Sequence, residues 1–348
     1  MNQSFIYLRG LRSVDHSVFC VEQGQKYYWD SRFTQRVAYS SGQQVKRSII
    51  ESILTYLNQQ PAPVTFYFEG SKLKEKEVTT PANPEYTDQL LGGWMVSKSG
   101  GGRTIKRRSP LSISAMRPLH PLLSGVYEED ISFDRSDRPG IHKVVVKDDN
   151  GNILTDEQIA DLLEGSDRSL RRKWIQDNRR TSGLFVYDVA IDLRTLFCVL
   201  TSPLEPELNE ENVEKLKQNG WKESKNVFGK CLVCPKERRE KIIEALAHGL
   251  INWRITSNQS RTFSIMENLA IAISNNANKI AGSIRGKLLE ETGRPKATPI
   301  IDDTAGAELF ISLPCDSYIK DVHGTANALN DAEKRLIDLL KNHDYENQ

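Results

Sequence analysis

The stretch Arg36-Val-Ala-Tyr-Ser-Ser-Gly-Gln-Gln-Val-Lys-Arg-Ser-Ile-Ile-Glu51 decides the fold around it. Apolar residues recur in this stretch and just after it at steps of four and three, at Val45, Ile49, Ile53, Tyr56 and Leu57. This spacing predicts a helix from about residue 42 to 57 with one buried stripe. Ser40 or Ser41 can cap its first free N–H groups, and two cations follow one turn later. Such a helix start suits a phosphate, although an ordinary capped amphipathic helix is the alternative.

Three short motifs follow one another in the first third of the chain. They are Ser40-Ser-Gly-Gln-Gln-Val-Lys-Arg47, Asp88-Gln-Leu-Leu-Gly-Gly93 and Arg107-Arg-Ser-Pro-Leu-Ser-Ile-Ser114. In their order and spacing, the sequence resembles the DevR-type backbone subunit of type I CRISPR Cascade complexes. This family belongs to the repeat-associated RAMP superfamily, which is built on a palm that is similar to the RNA-recognition motif.

The resemblance implies a non-catalytic protein that binds guide RNA (crRNA). Several copies would line up along the spacer of one guide, beside other Cascade subunits, and target DNA would pair with the guide. Because the spacer sequence varies, such a protein must hold phosphate and sugar without selecting bases. The resemblance implies no cofactor.

The distribution of charge supports binding to a polyanion, although the net charge of 348 residues is only +1. No Asp or Glu occurs from Gln89 to Tyr127 or from Ser31 to Ile50, while Lys and Arg occur in both stretches. The Gly-rich stretch Ser97–Arg103 predicts a flexible tip, and the basic run that follows it could close on RNA. A solvated loop without function is the competing interpretation.

The predicted RNA-binding set consists mainly of cations, hydroxyls and amides from these two stretches, and it also takes in Met116 and four arginines from elsewhere in the chain. The set is Arg9, Arg36, Ser40, Ser41, Gln43, Gln44, Lys46, Arg47, Lys98, Arg103, Lys106, Arg107, Arg108, Ser109, Ser112, Ser114, Met116, Arg117, Arg171, Arg172 and Arg261. The aromatic run Lys26–Asp30 is interpreted as a loop or strand tip whose rings could stack on bases or simply pack.

Strands and helices alternate along the chain, which predicts an α+β fold with a split βαβ (ferredoxin-like) palm. The predicted division is a first part of the palm at 1–60, an inserted finger and thumb region at 61–182, and a second part of the palm at 183–348. Short apolar runs predict strands at 5–8 and 14–21. A basic helix is expected through Arg171 and Arg172.

A catalytic or metal site is not evident in the sequence. Six histidines are scattered singly, and Cys231-Leu-Val-Cys234 has the spacing of only half a zinc site. Asp30 is the acid most worth testing, because a loop aspartate cleaves target RNA in some type III relatives of the family. An endoribonuclease of the same superfamily is the enzyme alternative, and it would need an acid and a base about one phosphate. A single-stranded nucleic-acid binder outside CRISPR is a third class.

The expected compartment is the cytoplasm. No window approaches the length of apolar sequence that a membrane span needs, and no signal-peptide pattern opens the chain, so we expect no membrane partner. Five cysteines, an odd number, agree with a reducing environment.

Overall fold

A computed structural model describes residues 4–19, 25–68, 75–98, 102–134, 145–165, 172–255, 263–289 and 293–348. The chain divides into two compact units, which are 1–125 with 181–348 (unit 1) and 126–180 (unit 2). The predicted division at 60 and 182 stays a prediction. Within the described residues, no helix combines the length and the apolar content needed to cross a bilayer.

The described residues form both strands and helices. The strands are β1 Phe5–Ser17, β2 Tyr27–Asp30, β3 Gln35–Ala38, β4 Thr65–Phe68, β5 Glu75–Thr79, β6 Trp94–Lys98, β7 Gly102–Arg107, β8 Leu111–Ile113, β9 Arg117–Pro118, β10 Ser124–Asp134, β11 Arg172–Asp192, β12 Cys198–Leu200, β13 Lys222–Asn226, β14 Gly229–Val233, β15 Glu267–Ser274, β16 Ile284–Leu289, β17 Lys296–Ile301 and β18 Glu308–Ile311. The helices are α1 Gly42–Leu57, α2 Thr87–Gly92, α3 Asp156–Leu163, α4 Glu210–Gln218, α5 Lys236–Asn252, α6 Ala277–Ser283 and α7 Ala328–Lys341.

The first strand lies in the middle of the main sheet of unit 1. Strands β11, β1, β15 and β18 lie side by side in that order, and β8 and β9 also pair with β11. β1 is antiparallel to both neighbours, with Tyr7 opposite Ala190 and Ser274. An antiparallel sheet with helices is an α+β fold, which confirms that level of the prediction.

One face of the sheet carries helices α1 and α5. On this face the Arg12 guanidinium donates to the carbonyls of Ile251 and Trp253 at the end of α5, at 3.0 Å each, and lies 3.9 Å from the Trp253 ring centroid. Burial lowers the pKa of Arg12 to about 10, so it stays charged at neutral pH. A buried cation thus joins β1 to the carbonyl end of α5, where the helix dipole favours positive charge.

Helix α1 begins and ends where the sequence predicts. Ser41 caps it, its hydroxyl accepting from the Gln44 N–H at 3.4 Å, and Val45, Ile49 and Ile53 are buried. The predicted strands at 5–8 and 14–21 are instead one strand, β1, that runs from Phe5 to Ser17. The expected basic helix is wrong at Arg172, because that residue begins β11, while Arg171 lies outside the described residues.

Unit 2 contains most of β10, the first half of β11 and the short helix α3. Thr155 and Gln158 form a reciprocal capping box at the start of α3. In this unit Arg179 pairs with Glu128 at 2.9 Å.

Candidate nucleic-acid interface

The three motifs meet in space. Residues 40–47 and 88–93 contact the segment 106–117, which contains the third motif, and we call this place the motif junction. Ser40 and Met116 exchange backbone hydrogen bonds of 2.9 and 3.0 Å. A Cβ on Gly42 would lie 3.0 Å from the Ile113 carbonyl oxygen, so the start of α1 lies close against this segment. Segments that are far apart in sequence therefore build one surface around the start of α1.

Lys46 joins all three motifs. Its Nζ donates to the Gly92 carbonyl at 2.9 Å and to the Ser109 hydroxyl at 2.8 Å. Burial lowers the pKa of Lys46, and the like charge of Arg107 lowers it further. Because these donors are engaged within the protein, Lys46 and Ser109 hold the junction together, and a role in contacting RNA is secondary.

Arg107, a member of the predicted RNA-binding set, lies inside the protein. Its guanidinium donates to the carbonyls of Leu90 at 2.5 Å and Thr195 at 2.7 Å, and it also reaches the Cys198 carbonyl. The side chain is 1% exposed, and Glu207 lies 3.8 Å away. An arginine enclosed in this way serves the fold and cannot reach a phosphate.

Ser40 and Met116, two further members of the predicted set, are also buried. The Ser40 hydroxyl donates to the Gln44 side-chain oxygen at 2.8 Å, which uses the side-chain oxygens of both residues locally. Ser41 is occupied as the helix cap. These residues fix the shape of the junction from within.

Exposed side chains surround this buried frame. They are Gln43, Arg47, Lys106, Arg108, Ser112 and Arg117. Arg47 pairs with Glu51 at 2.8 Å, but this pair is exposed and therefore weak enough to exchange for a phosphate. Four cations at one junction form a surface that suits a polyanion.

A groove of about 520 Å³ opens beside the junction, lined by Tyr7, Arg9, Ser112, Ser114 and Asp188 among others. Arg9 holds Asp188 with two hydrogen bonds, of 2.6 and 3.1 Å, and donates a third to the Ile284 carbonyl at 2.8 Å. Arg117, which is 47% exposed, reaches the same carboxylate at 3.3 Å. Two arginines share one acid, so this edge of the groove keeps a net positive charge.

The remaining members of the set lie away from the junction or outside the described part of the chain. Arg36 is exposed on β3, four residues before Ser40. Arg171 and Arg261, and the side chains of Lys98, Arg103 and Arg172, fall outside the described part.

Asp30 and His120 each have a structural role in their own turn. The Asp30 carboxylate accepts from the Phe33 N–H at 3.0 Å, and His120 Nδ1 accepts from the Leu122 N–H at 3.1 Å. Burial lowers the pKa of His120, and nearby Arg32 lowers it further. In the residues that the structure describes, no three His, Cys, Asp or Glu side chains are grouped so that they could hold a metal.

The hairpin β2–β3 supplies exposed rings that the predicted set leaves out. Tyr27, Tyr28 and Trp29 are 38%, 42% and 59% exposed. The aromatic run is visible in the sequence, but only the pairing of β2 with β3 shows that these rings remain at the surface.

Comparisons with known proteins give structural likeness alone. No protein-family model and no curated protein matches the chain. Among solved structures, the chain is similar to one in a "CRISPR RNA-guided surveillance complex, pre-nicking", with a TM-score of 0.46 and 9% identity over 97% of this chain and 89% of that one. It is also similar to a chain of a "CRISPR RNA-guided surveillance complex", with a TM-score of 0.40 and 10% identity over 97% of this chain and 85% of that one.

Proposed function

We propose that the protein is a non-catalytic, guide-RNA-binding backbone subunit of a CRISPR Cascade surveillance complex. In this proposal it is a DevR-type member of the RAMP superfamily, with an RNA-recognition-motif-like palm and an inserted finger and thumb region. Copies line up along one crRNA beside other Cascade subunits in the cytoplasm, and target DNA pairs with the exposed guide.

The observation that carries the proposal is the motif junction. Lys46 contacts Gly92 and Ser109, so the three motifs that suggested the family from sequence also form one surface. A chance likeness of three short motifs does not require them to touch. The exposed groups around the junction are cations, hydroxyls and amides, which bind phosphate and sugar oxygens of any sequence.

We expect charge-neutral substitution of the exposed cations to weaken binding of single-stranded RNA equally for unrelated sequences. The variants are Arg47→Gln, Lys106→Gln, Arg108→Gln and Arg117→Gln, alone and together. The slope of log affinity against log salt concentration should flatten by roughly 0.7 for each phosphate that the variant no longer binds. Fluorescence anisotropy titrations at several salt concentrations measure both quantities.

Lys215→Gln and Lys236→Gln are matched controls, because these exposed lysines lie on α4 and α5, outside the three motifs. They should leave the slope unchanged. Sedimentation of the same complexes on longer RNAs counts the copies bound, which should rise stepwise with length. If the variants lost different amounts of affinity for unrelated RNA sequences, or if a single copy bound to RNA of every length, the proposal would be contradicted.

We also expect the purified protein to leave labelled single-stranded RNA intact, with or without Mg²⁺ or Mn²⁺. The physical reason is that Asp30 and His120 each use a side-chain acceptor to cap a turn, and general acid–base catalysis needs such groups free to meet a phosphate. Gel electrophoresis after long incubation checks this. Specific products that disappear with Asp30→Ala or His120→Ala would favour the endoribonuclease alternative.

A further inference from the structure

The two faces of the hairpin β2–β3 differ in what they contact. Tyr28 lies opposite Val37, which is buried, and its ring centroid is 6.1 Å from that of Tyr39. Burial raises the pKa of the Tyr28 hydroxyl, with Asp30 raising it further and Arg117 opposing the change. This face of the hairpin meets the rest of unit 1 at Val37, while the Tyr28 ring itself stays 42% exposed.

The other face carries Tyr27, Trp29 and Arg36, and we call it the ring face. Trp29 lies directly opposite Arg36, so the two side chains share a face with Tyr27, which is two residues from Trp29. The Arg36 guanidinium lies 5.2 Å from the Tyr27 ring centroid. Two exposed rings and a planar cation thus lie side by side.

The backbone of the hairpin is held by contacts at its turn and at its base. The Asp30 carboxylate accepts from the Phe33 N–H at 3.0 Å, and the Gln35 side chain donates to the Pro121 carbonyl at 2.6 Å. At the base, the Tyr39 N–H donates to the Lys26 carbonyl at 3.2 Å. Rings on a fixed backbone lose little conformational freedom when a ligand binds, so the ring face is preorganised.

The charge around the ring face favours an anionic partner. Lys26, Arg32 and Arg36 are exposed, and the one acid among residues 26–38, Asp30, is engaged with the turn. β3 then leads straight into the motif junction, since Ser40 follows Arg36 by four residues, about 14 Å of extended chain. A strand of RNA on the junction therefore passes within reach of the ring face.

We propose that the ring face stacks on unpaired bases of the single-stranded RNA whose phosphates the motif junction binds. Flat rings and a guanidinium take any base, because every base has a π face. The site thus adds sequence-tolerant contact with bases to contact with the backbone. This inference rests on the proposed RNA-binding function.

The experiment compares Trp29→Ala, Trp29→Phe and the wild type on two polymers of equal length, unstructured polyuridine and an abasic ribose-phosphate chain. We expect Trp29→Ala to weaken binding to polyuridine about tenfold, because one base no longer stacks on a ring. Binding to the abasic polymer should not change, because it has no base to stack. Trp29→Phe should keep most of the affinity, and Tyr318→Ala is the control for removal of an exposed ring elsewhere.

The outcomes of this experiment separate the two proposals. If wild-type protein binds neither polymer, the RNA-binding function fails and this inference fails with it. If it binds both polymers and Trp29→Ala changes neither affinity, stacking is excluded while backbone binding stands. If Trp29→Ala weakens binding only on RNAs long enough for two copies, the ring face contacts another copy of the chain and the stacking proposal is overturned.

Discussion

Replacing Arg107 by leucine is expected to lower the free energy of unfolding by about 3–5 kcal/mol, the usual range for breaking a buried ion pair from one side. Leucine cannot donate, so the carbonyls of Leu90 and Thr195 lose their partner, and Glu207 loses the nearest positive charge. Urea unfolding followed by circular dichroism measures the change.

Arg108→Leu is the matched control, because Arg108 is the next residue and is exposed. Its effect on stability should stay within about 0.5 kcal/mol, the usual limit for a surface substitution. Arg108→Leu should weaken RNA binding instead. If the two variants exchanged these effects, our placement of Arg107 inside the protein would be wrong.

The loss of stability in Arg107→Leu should depend on pH through Glu207. Burial already raises the pKa of Glu207, and Arg107 is the charge that opposes this rise, so the pKa goes higher in the variant. A raised pKa in the folded state gives stability that is present below the unfolded pKa and is lost as pH rises through the folded pKa. The loss of unfolding free energy caused by Arg107→Leu should therefore grow from acid to neutral pH. Adding Glu207→Gln should remove this dependence on pH.

Gly10→Ala is expected to destabilise the protein by about 3 kcal/mol, at the upper end of the usual cost of overpacking a core. A Cβ on Gly10 would overlap the Tyr187 ring, which crosses β1 at this point. Tyr187 cannot easily move away, because its hydroxyl donates to the Leu250 carbonyl at 2.8 Å and its ring meets Trp253 edge-on at 5.0 Å. The free energy of unfolding in urea again measures the effect.

Gly125→Ala is the control, since no atom lies within 4 Å of a Cβ built there. It should be close to neutral. Tyr187→Leu should cost less in the Gly10→Ala background than in the wild type, because the smaller side chain makes room for the methyl group. Equal costs in both backgrounds would show that the ring and Gly10 are not coupled.

Helix α1 was predictable because the residues that define it are near one another in the sequence. The spacing of Val45, Ile49 and Ile53 marks the buried stripe, and Ser41 caps the helix within three residues. Both the apolar periodicity and the capping hydrogen bond involve residues that are close together in the sequence. For the same reason the capping box at Thr155 and Gln158 was also predictable.

The buried role of Arg107 was missed because the basic run was interpreted by its composition. In β7 the side chains alternate, so Ile105 and Arg107 point inward while Lys106 and Arg108 point outward. That period of two was available in the sequence, but the carbonyls that accept from Arg107 come from residues 90, 195 and 198.

The ring face could not be predicted, because it depends on which strand pairs with which. Tyr27 and Trp29 share a face with Arg36 only in the observed register, and a shift of one residue would turn Arg36 to the other side. The junction likewise depends on the contacts of Lys46 with Gly92 and Ser109.

The central position of β1 has a consequence for synthesis on the ribosome. Phe5 pairs with Asp192 and Tyr7 pairs with Ser274, so both partner strands are translated long after β1 has emerged. At 5–20 residues per second, the first partner arrives on the order of ten seconds later, and the second arrives later still. Until then, an apolar strand with two unpaired edges waits on the nascent chain, where it can associate with other chains. We therefore expect the yield of native protein to rise with chaperone capacity.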